Sequence, residues 1–405
     1  MITRLTFIVC ALTVVSSQNS CRDRFLWPFA NTSIWNTPIG RHAEYLPAGI
    51  YSGADALRGP PAEFHNDQDW LILSRATDPL VDWVDDSGHF PGMCSAHGKI
   101  APEQVPLPKT LVTDCVANNN GAGVLLPDNR TLVQMQPLYI PEAGGPLIAW
   151  YHTGAPQPFP WQVDILGDGA LGAHGGSGLS SFGGSIRLGE LLPGAPPIRH
   201  ALKLELWAHA YYYFNWSSRA YSSCFTWPAV GCDSYWDSVS GAGYNGTNPF
   251  LKPGALLAVP PAKIDALLAS LVWQPAKQIA RALHDFGGYL VDDTGSKEGG
   301  GAFCADSRVN AELQAVYNVS VRIENPLTPG GQGATLYADL VKVFQALAIV
   351  VNNAKNNVGG GGAPVAPLAP PICGAEGASV APDSSVPPLR EEERRRGPGP
   401  RRSSH

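Results

Sequence analysis

"RHALKLELWAHAYYYF", residues Arg199–Phe214, shows the clearest strand pattern in this chain. At a period of two, Leu202, Leu204 and Leu206 fall on one face, followed by Ala208 and Ala210. The opposite face carries polar and aromatic side chains: Lys203, Glu205, Trp207, His209 and Tyr211. The pattern predicts a long β-strand with one face in the core and a polar, aromatic face opposite.

The region before this strand is also typical of β structure. Residues 25–160 contain short extended segments separated by Pro, Gly, Asn and Asp, such as "GAGVLLPDNRTLVQMQPLYIP" at 121–141. Many short strands at this spacing, with turn residues between them, are typical of sandwiches and barrels. We therefore expect a mainly β domain, a β-sandwich or jelly-roll-like fold.

Helical patterns follow Pro261. The segments 261–273 and 275–288 each open with Pro, which the first helical turn tolerates, and the second closes on two glycines. "YLVDDTG" at 289–295 reads as a strand, and 334–353 reads as a long helix. We expect one globular domain over residues 18–358, with helical additions after 261. The Gly/Pro-rich and then charged residues 359–405 predict a disordered tail.

The first residues predict export. Arg4 precedes an apolar run that is too short to span a bilayer, and Ser16 and Ser17 suit a signal-peptide cleavage site after residue 17. The net charge of −6 gives no basic field, so we expect no nucleic-acid partner and no membrane partner. In a secreted protein, five sequons predict N-glycans at Asn31, Asn129, Asn215, Asn245 and Asn318.

The cysteines predict disulfides. Removal of the signal leaves seven cysteines, an odd number, so one should stay unpaired in an oxidising compartment. Cys224 and Cys232 bracket a short loop that a disulfide could close, and Cys94 with Cys115 is a second expected pair. Cys373, in the tail, is the expected leftover.

A glycine-rich stretch, "GAHGGSGLSSFGGSIRLGEL" at 172–191, raises the question of catalysis. Ser177 has Gly175 before it but Leu179 in the place of the second glycine of a nucleophile elbow. The stretch contains no lysine, which excludes a phosphate loop. The remaining interpretation is a tight turn in which glycines permit close backbone approach. Such a turn would bring His174, Arg187 and Glu190 into one region.

Carbohydrate chemistry is the leading functional class, because sugar sites combine carboxylates and arginine with aromatic platforms, and the chain has 11 tryptophans. The candidate catalytic residues are Asp164, Asp168, His174, Arg187, Glu190, His200 and Asp292. The candidate substrate-binding residues are Lys203, Glu205, Trp207, His209, Tyr211 and Tyr235. Hydrolysis of a polysaccharide would need two carboxylates, whereas β-elimination would need a His or Tyr base with an arginine. The alternative is a non-catalytic glycan-binding wall or matrix protein.

Metal motifs are missing from the sequence. There is no Cys-x-x-Cys and no His-Glu-x-x-His, so we expect no metal and no other cofactor. Calcium is the one possibility left open, since "DWVDDSG" at 82–88 offers carboxylate oxygens.

Five strings resemble a family of secreted proteins of bacteria and unicellular algae. They are "SIWNTPIG" at 33–40, "HGGSGLSSFGGSIRLGEL" at 174–191, "IRHALKLEL" at 198–206, "GALLAVP" at 254–260 and "ARALHDFGGYLVDDTG" at 280–295. The resemblance covers about Phe25 to Gly295. It implies an extracellular β-rich domain and brings no catalytic assignment.

Overall fold

The computed structural model describes residues 21–52, 62–64, 69–85, 99–113, 120–149, 162–239, 243–295, 300–319 and 333–374. The strands, in chain order, are β1 Tyr45–Pro47, β2 Ala62–Phe64, β3 Asp69–Leu73, β4 Leu80–Asp85, β5 Lys99–Pro106, β6 Gly121–Leu125, β7 Thr131–Met135, β8 Leu138–Tyr139, β9 Leu147–Ala149, β10 Gln162–Asp164, β11 Leu171–His174, β12 Leu202–Leu206, β13 Leu256–Ala258, β14 Gly288–Asp293, β15 Gly301–Phe303 and β16 Ala348–Val350. The helices are α1 Ala208–Tyr211, α2 Pro261–Ser270, α3 Gln274–Asp285, α4 Val309–Tyr317 and α5 Ala334–Ala346.

A seven-stranded mixed sheet forms the centre of the described structure, with the order β1-β16-β13-β14-β12-β15-β2. Strand β12 lies inside this sheet, parallel to β14 and antiparallel to β15. Its leucines point to one face and its polar residues to the other, as the period of two predicts. Because β12 has a neighbour on both sides, its backbone groups are paired along both edges.

The two faces of this sheet are covered by different partners. On one face, Leu204 and Leu290 belong to an apolar cluster with Leu283 of α3 and Phe344 of α5. On the other face, Tyr289 packs in a second apolar cluster that includes residues of β6 and β7. Strands β6 and β7 belong to a four-stranded sheet, β10-β7-β6-β3. The polar face of β12 is therefore enclosed between strands rather than exposed to solvent.

A third sheet, β5-β4-β9-β8, completes the β structure. Trp83 of β4 is fully buried and shares an apolar cluster with Val124 of β6. The prediction of a mainly β, disulfide-bonded chain with C-terminal helices is confirmed by these three sheets, the helices after residue 261 and two disulfides.

Two element predictions were wrong in their extent. The strand that was expected over Arg199–Phe214 ends at Leu206, and Ala208–Tyr211 is a helical turn whose first N–H donates to the Asp293 carboxylate at 2.8 Å. The helix expected over 334–353 ends at Ala346, because Ala348–Val350 pairs with β1 and β13. An apolar run alone does not separate a buried helix end from a buried strand.

The two ends of the described chain are joined. Cys21 and Cys373 form a disulfide, so the expectation that Cys373 is unpaired was wrong; the free cysteine among the described residues is the buried Cys304. The predicted tail boundary at 358 also comes too early. Residues 359–374 pair with the N-terminal segment, with N–H to O=C distances of 2.8 Å for Arg41 to Ala363 and 2.9 Å for Arg22 to Pro371.

Three predictions made for a secreted protein concern a disulfide, the glycosylation sites and membrane spans. The predicted Cys224–Cys232 disulfide is confirmed. Asn31, Asn129, Asn245 and Asn318 are exposed and Asn215 is half-buried, and glycosylation at these five sites stays a prediction. Within the described ranges, no helix has the length and apolar character that crossing a bilayer requires. The predicted signal, residues 1–17, and the predicted Cys94–Cys115 pair lie outside the described residues.

Candidate functional site

Backbone pairing gathers five chemically active side chains in the interior. The Cys304 N–H donates to the Lys203 carbonyl at 3.2 Å, and the Asp69 N–H donates to the Ala305 carbonyl at 3.1 Å. His174, at the end of β11, enters from the glycine-rich stretch. Asp69, His174, Lys203 and Glu205 are 0% exposed and Cys304 is 1% exposed. We call these five residues the His174 cluster.

The imidazole of His174 lies at the centre of this cluster. Its Nε2 is 3.7 Å from Asp69 Oδ1, 3.9 Å from Glu205 Oε1 and 3.7 Å from Cys304 Sγ. The Cys304 thiol donates to Glu205 Oε1 at 3.0 Å. One ring nitrogen therefore faces two carboxylates and a thiol, which is an unusual environment for a wholly buried histidine.

Lys203 supplies a positive charge on the far side of Asp69. Its Nζ is 3.0 Å from Asp69 Oδ2 and donates to the Ser180 carbonyl at 3.2 Å. A buried lysine without a partner would cost several kcal/mol, so this ion pair fixes the orientation of the Asp69 carboxylate. Asp69 Oδ1 is then directed at His174.

Asp292 connects the cluster to the glycine-rich turn. Its Oδ2 is 3.5 Å from His174 Nδ1 and accepts a hydrogen bond from Gln136 Nε2 at 3.2 Å. The turn lies directly against this carboxylate: a Cβ on Gly175 would come within 1.8 Å of Asp292 Oδ2. A Cβ on Gly176 would come within 2.7 Å of Asp233 Oδ1. The glycines of this turn are therefore needed for close approach, as the sequence predicts.

Three aspartates meet beside this turn, and we call Asp233, Asp292 and Asp293 the aspartate group. The Tyr244 hydroxyl donates to Asp233 Oδ2 at 2.5 Å, and the Tyr235 hydroxyl donates to Asp293 Oδ2 at 2.9 Å. Asp233 is half-buried and Tyr235 is 36% exposed, whereas the His174 cluster is enclosed. Asp233 and Tyr235 are thus the solvent-facing end of the connected polar network, whereas Asp292 and Asp293 are buried at 3% and 9% exposure.

Burial and mutual repulsion change the acidity of these groups. Burial, followed by the charges of Asp292 and Asp293, raises the pKa of Asp233 well above its usual range. Burial also raises the pKa of Asp293, against hydrogen bonds from Ala208 and Tyr235. Within the cluster, burial and the charge of Asp292 raise the pKa of Glu205, and burial with the charge of Glu205 raises that of the Cys304 thiol. This arrangement therefore favours the protonated forms of Asp233, Asp293 and Glu205.

The predicted catalytic residues do not form one site. His174 and Asp292 are in contact, but Glu190 and His200 form a separate pair, with Glu190 Oε1 at 3.1 Å from His200 Nε2. Arg187 lies beside the second pair, since its backbone N–H donates to Glu190 Oε2 at 2.7 Å. Its guanidinium stacks on the Phe182 ring and donates to the Phe182 carbonyl at 2.8 Å, and burial lowers its pKa to about 10.

Asp164 and Asp168 make surface contacts instead. Asp164 is held by the Arg130 guanidinium at 2.8 Å, and the side chains of this pair are 59% and 38% exposed for Arg130 and Asp164. Exposed Asp168 accepts the Ala170 N–H at 2.7 Å. Asp164 also accepts the Leu166 N–H at 2.9 Å. The contacts with Leu166 and Ala170 stabilise local turns, which explains why acids lie beside these glycines.

The predicted substrate-binding face of β12 needs correction. Lys203 and Glu205 are enclosed in the interior, and Trp207, His209 and Tyr211 lie beyond the end of the strand. His209 Nδ1 is 2.8 Å from the Gly243 carbonyl, and Tyr211 is buried. Trp207 and His209 are half-buried and flank Ala208, whose N–H donates to Asp293, so the backbone at these positions lies next to the aspartate group.

Sequence reasoning missed two members of the cluster. In the sequence, Asp69 lies beside Trp70 at the start of a strand, a position that is typical of a surface acid. Cys304 is one of the seven cysteines that remain after removal of the signal, in a chain expected to form disulfides, so nothing in its local sequence indicates a free thiol. A fully apolar strand that opens on an acid was the available signal for Asp69. The calcium hypothesis for 82–88 rests largely on residues outside the described ranges, and Asp82 itself accepts a hydrogen bond from Gln104 at 2.7 Å.

Comparison with known proteins gave no match to a family model, a curated protein or a solved structure. The resemblance to secreted bacterial and algal proteins therefore stays a prediction. The geometry of the site is the sole basis for a functional assignment.

Proposed function

We propose that this protein is a secreted glycoside hydrolase that cleaves an extracellular polysaccharide at the aspartate group. The observation that carries this proposal is the meeting of Asp233, Asp292 and Asp293 beside the Gly175–Gly176 turn and the exposed ring of Tyr235. Glycosidic hydrolysis needs two carboxyl groups of different acidity near one sugar. The disulfides agree with an oxidising, extracellular location.

The roles follow from the environment of each carboxyl group. Asp233 is the general acid, since its raised pKa keeps a proton that it transfers to the glycosidic oxygen as the bond to the anomeric carbon breaks. Asp292 is the base that takes a proton from the attacking water, whose oxygen forms the new bond to that carbon. Asp293 accepts hydrogen bonds from Ala208, Gly295 and Tyr235, so it positions Tyr235 as an aromatic platform for the sugar.

Hydrolysis is favoured over β-elimination by the positions of Arg187 and His200. Elimination was expected to use a His or Tyr base with an arginine that neutralises a uronate carboxylate. Here Arg187 is buried against Phe182, and His200 is buried and paired with Glu190. The β-sandwich or jelly-roll arrangement, on which the hydrolysis mechanism does not depend, stays a prediction.

A panel of neutral and acidic polysaccharides tests the proposal. New reducing ends without ultraviolet absorbance from unsaturated uronates are expected for hydrolysis, whereas absorbance would indicate elimination. Asp233→Asn and Asp292→Asn should each lower the rate by about 10²-fold or more, as loss of a positioned acid or base does. Asp168→Asn, a change of an exposed acid in a surface turn, is the matched control and should retain the rate.

Two results would contradict the proposal. If Asp292→Asn formed product at the wild-type rate, the aspartate group would not be the catalytic site. Retention of the protein on a polysaccharide column without any product, across the whole panel, would favour the glycan-binding matrix protein instead.

A further inference from the structure

We infer that the His174 cluster is a binding site for a zinc-type divalent metal ion, held by Asp69, His174 and Cys304, with Glu205 beside the Cys304 sulfur. The inference goes beyond the proposed hydrolase activity and does not depend on it. It starts from the donor atoms: a carboxylate oxygen of Asp69, one imidazole nitrogen of His174 and the Cys304 sulfur lie within 4.8 Å of one another. Glu205 Oε1 is 3.0 Å from that sulfur.

The distances from His174 Nε2 to the other donor atoms are close to the edges of a tetrahedral site. Ligands at the usual zinc distances of about 2.0–2.3 Å are separated by roughly 3.3–3.8 Å along the edges of a tetrahedron. His174 Nε2 lies 3.7 Å from Asp69 Oδ1, 3.7 Å from Cys304 Sγ and 3.9 Å from Glu205 Oε1. Cys304 Sγ and Glu205 Oε1 are 3.0 Å apart, so they would separate slightly around an ion.

Unsatisfied polar atoms independently indicate a missing partner. Within the described residues, Asp69 Oδ1 and Glu205 Oε2 are buried and accept no hydrogen bond. Buried polar atoms without partners are rare in proteins, since each one costs about 1–3 kcal/mol. Asp69 Oδ1 is also the oxygen that Lys203 leaves free by holding Oδ2. An ion beside His174 Nε2 would satisfy it.

Charge balance supports a cation at this place. Three acids, Asp69, Glu205 and Asp292, surround His174, and Lys203 is the one lysine paired with them among the described residues. A divalent ion at this place would offset the excess negative charge of these acids.

The donor set selects the class of metal. Calcium and magnesium prefer sites built entirely from oxygen, whereas thiolate and imidazole together favour zinc and similar transition metals. Metal-bound histidines usually donate their other ring N–H to a carboxylate, which fixes the tautomer. Asp292 Oδ2 lies 3.5 Å from His174 Nδ1 and would do this here, leaving Nε2 free for the ion.

Metal loading of the full chain tests the inference. The chelator-treated protein is dialysed against Zn²⁺ or Co²⁺ and then against metal-free buffer, and the retained metal is measured by mass spectrometry. We expect one equivalent to be retained, with proton release on binding, and the Co²⁺ form should show tetrahedral d–d bands and a thiolate-to-cobalt charge-transfer band. Mg²⁺ and Ca²⁺ should not compete.

Variants separate this site from other thiols and histidines in the chain. Cys304→Ser should lose the charge-transfer band, and Asp69→Asn should weaken Co²⁺ binding by at least 10-fold. His200→Gln removes another buried, carboxylate-paired histidine and should bind Co²⁺ as the wild type does. A folded wild-type protein that retains no metal and shows no charge-transfer band overturns the inference, whatever the variants do. A band that persists in Cys304→Ser overturns it as well.

Discussion

Gly175 is the residue on which the junction between the glycine-rich turn and Asp292 depends most directly. It has φ +39°, and an added Cβ would lie 1.8 Å from Asp292 Oδ2. We expect Gly175→Ala to lower the free energy of unfolding by about 2–5 kcal/mol, because backbone strain adds to the clash. Gly194→Ala is the matched control. Gly194 also has positive φ but has nothing within 4 Å of its Cβ, so only about 1–2 kcal/mol should be lost.

Urea unfolding of both variants measures this difference. If both variants lost the same free energy of unfolding, backbone conformation alone would require the glycine at 175. The close approach to Asp292 would then contribute nothing to stability.

The acidity of Asp233 predicts how stability depends on pH. Its pKa is raised by burial and by Asp292 and Asp293, with the Tyr244 hydroxyl opposing the shift. The protonated form is therefore favoured in the folded state. This contribution is fully present below the unfolded pKa of about 3.9 and is lost as pH rises through the raised folded value, by at most about 1.4 kcal/mol per pH unit.

Unfolding free energies measured from pH 4 to pH 7 should show this loss, and Asp233→Asn should reduce the slope. A slope that is the same in both proteins would assign the pH dependence to other acids. In the proposed reaction the same proton is donated to the leaving oxygen, so the rate should also fall as pH rises through the pKa of Asp233.

Strand β12 shows what the sequence of one element can predict and what it cannot. Its alternation separates Leu202, Leu204 and Leu206 from Lys203 and Glu205 correctly, and this is what a period of two encodes. The alternation does not say whether the polar face is covered. Here β12 is an interior strand with helices on one face and further strands on the other, so its polar face became a buried network instead of a substrate surface.

The other members of the cluster could not be placed from local patterns. Asp69 and Cys304 join β12 through pairings between segments that are far apart in the sequence. Local alternation contains no information about such partners, whereas the adjacency of His174, Gly175 and Gly176 is local and was read correctly as a tight turn. Asp292 was likewise visible as a candidate acid near the end of a predicted strand.

A substitution in β12 tests the energetic role of the buried ion pair. Lys203→Met keeps the length of the side chain but leaves the Asp69 carboxylate without its cation, so we expect a loss of about 3–5 kcal/mol in metal-free buffer. Lys263→Met, on the exposed surface of α2, is the control and should change little. The double variant Asp69→Asn/Lys203→Met should lose less than the two single variants together. Strict additivity would show that the pair is not coupled.

At the scale of the whole molecule, the disulfide between Cys21 and Cys373 holds the ends of the described chain together. Cys373 follows residues 359–371, which pair with the segments around Gly40 and Arg22, so the link closes a layer of backbone hydrogen bonds over the core. The Arg22 guanidinium is buried in this layer, where it donates to the Pro28 carbonyl at 3.0 Å and to the Pro370 carbonyl at 2.6 Å. From composition alone, residues 359–374 were predicted to belong to a disordered tail. Composition could not show that partners at the other end of the chain stabilise this segment.

Removal of this disulfide should cost more stability than removal of the other one. It closes a loop with a sequence separation of 352, whereas Cys224–Cys232 has a separation of 8, and a longer loop restricts the unfolded chain more. We expect Cys21→Ser/Cys373→Ser to lose about 4–5 kcal/mol and Cys224→Ser/Cys232→Ser to lose less than about 3 kcal/mol. Urea unfolding without reductant measures both. If the two double variants lost equal stability, the terminal segments would already be held by their hydrogen bonds and by the buried Arg22, and the cross-link would add little to them.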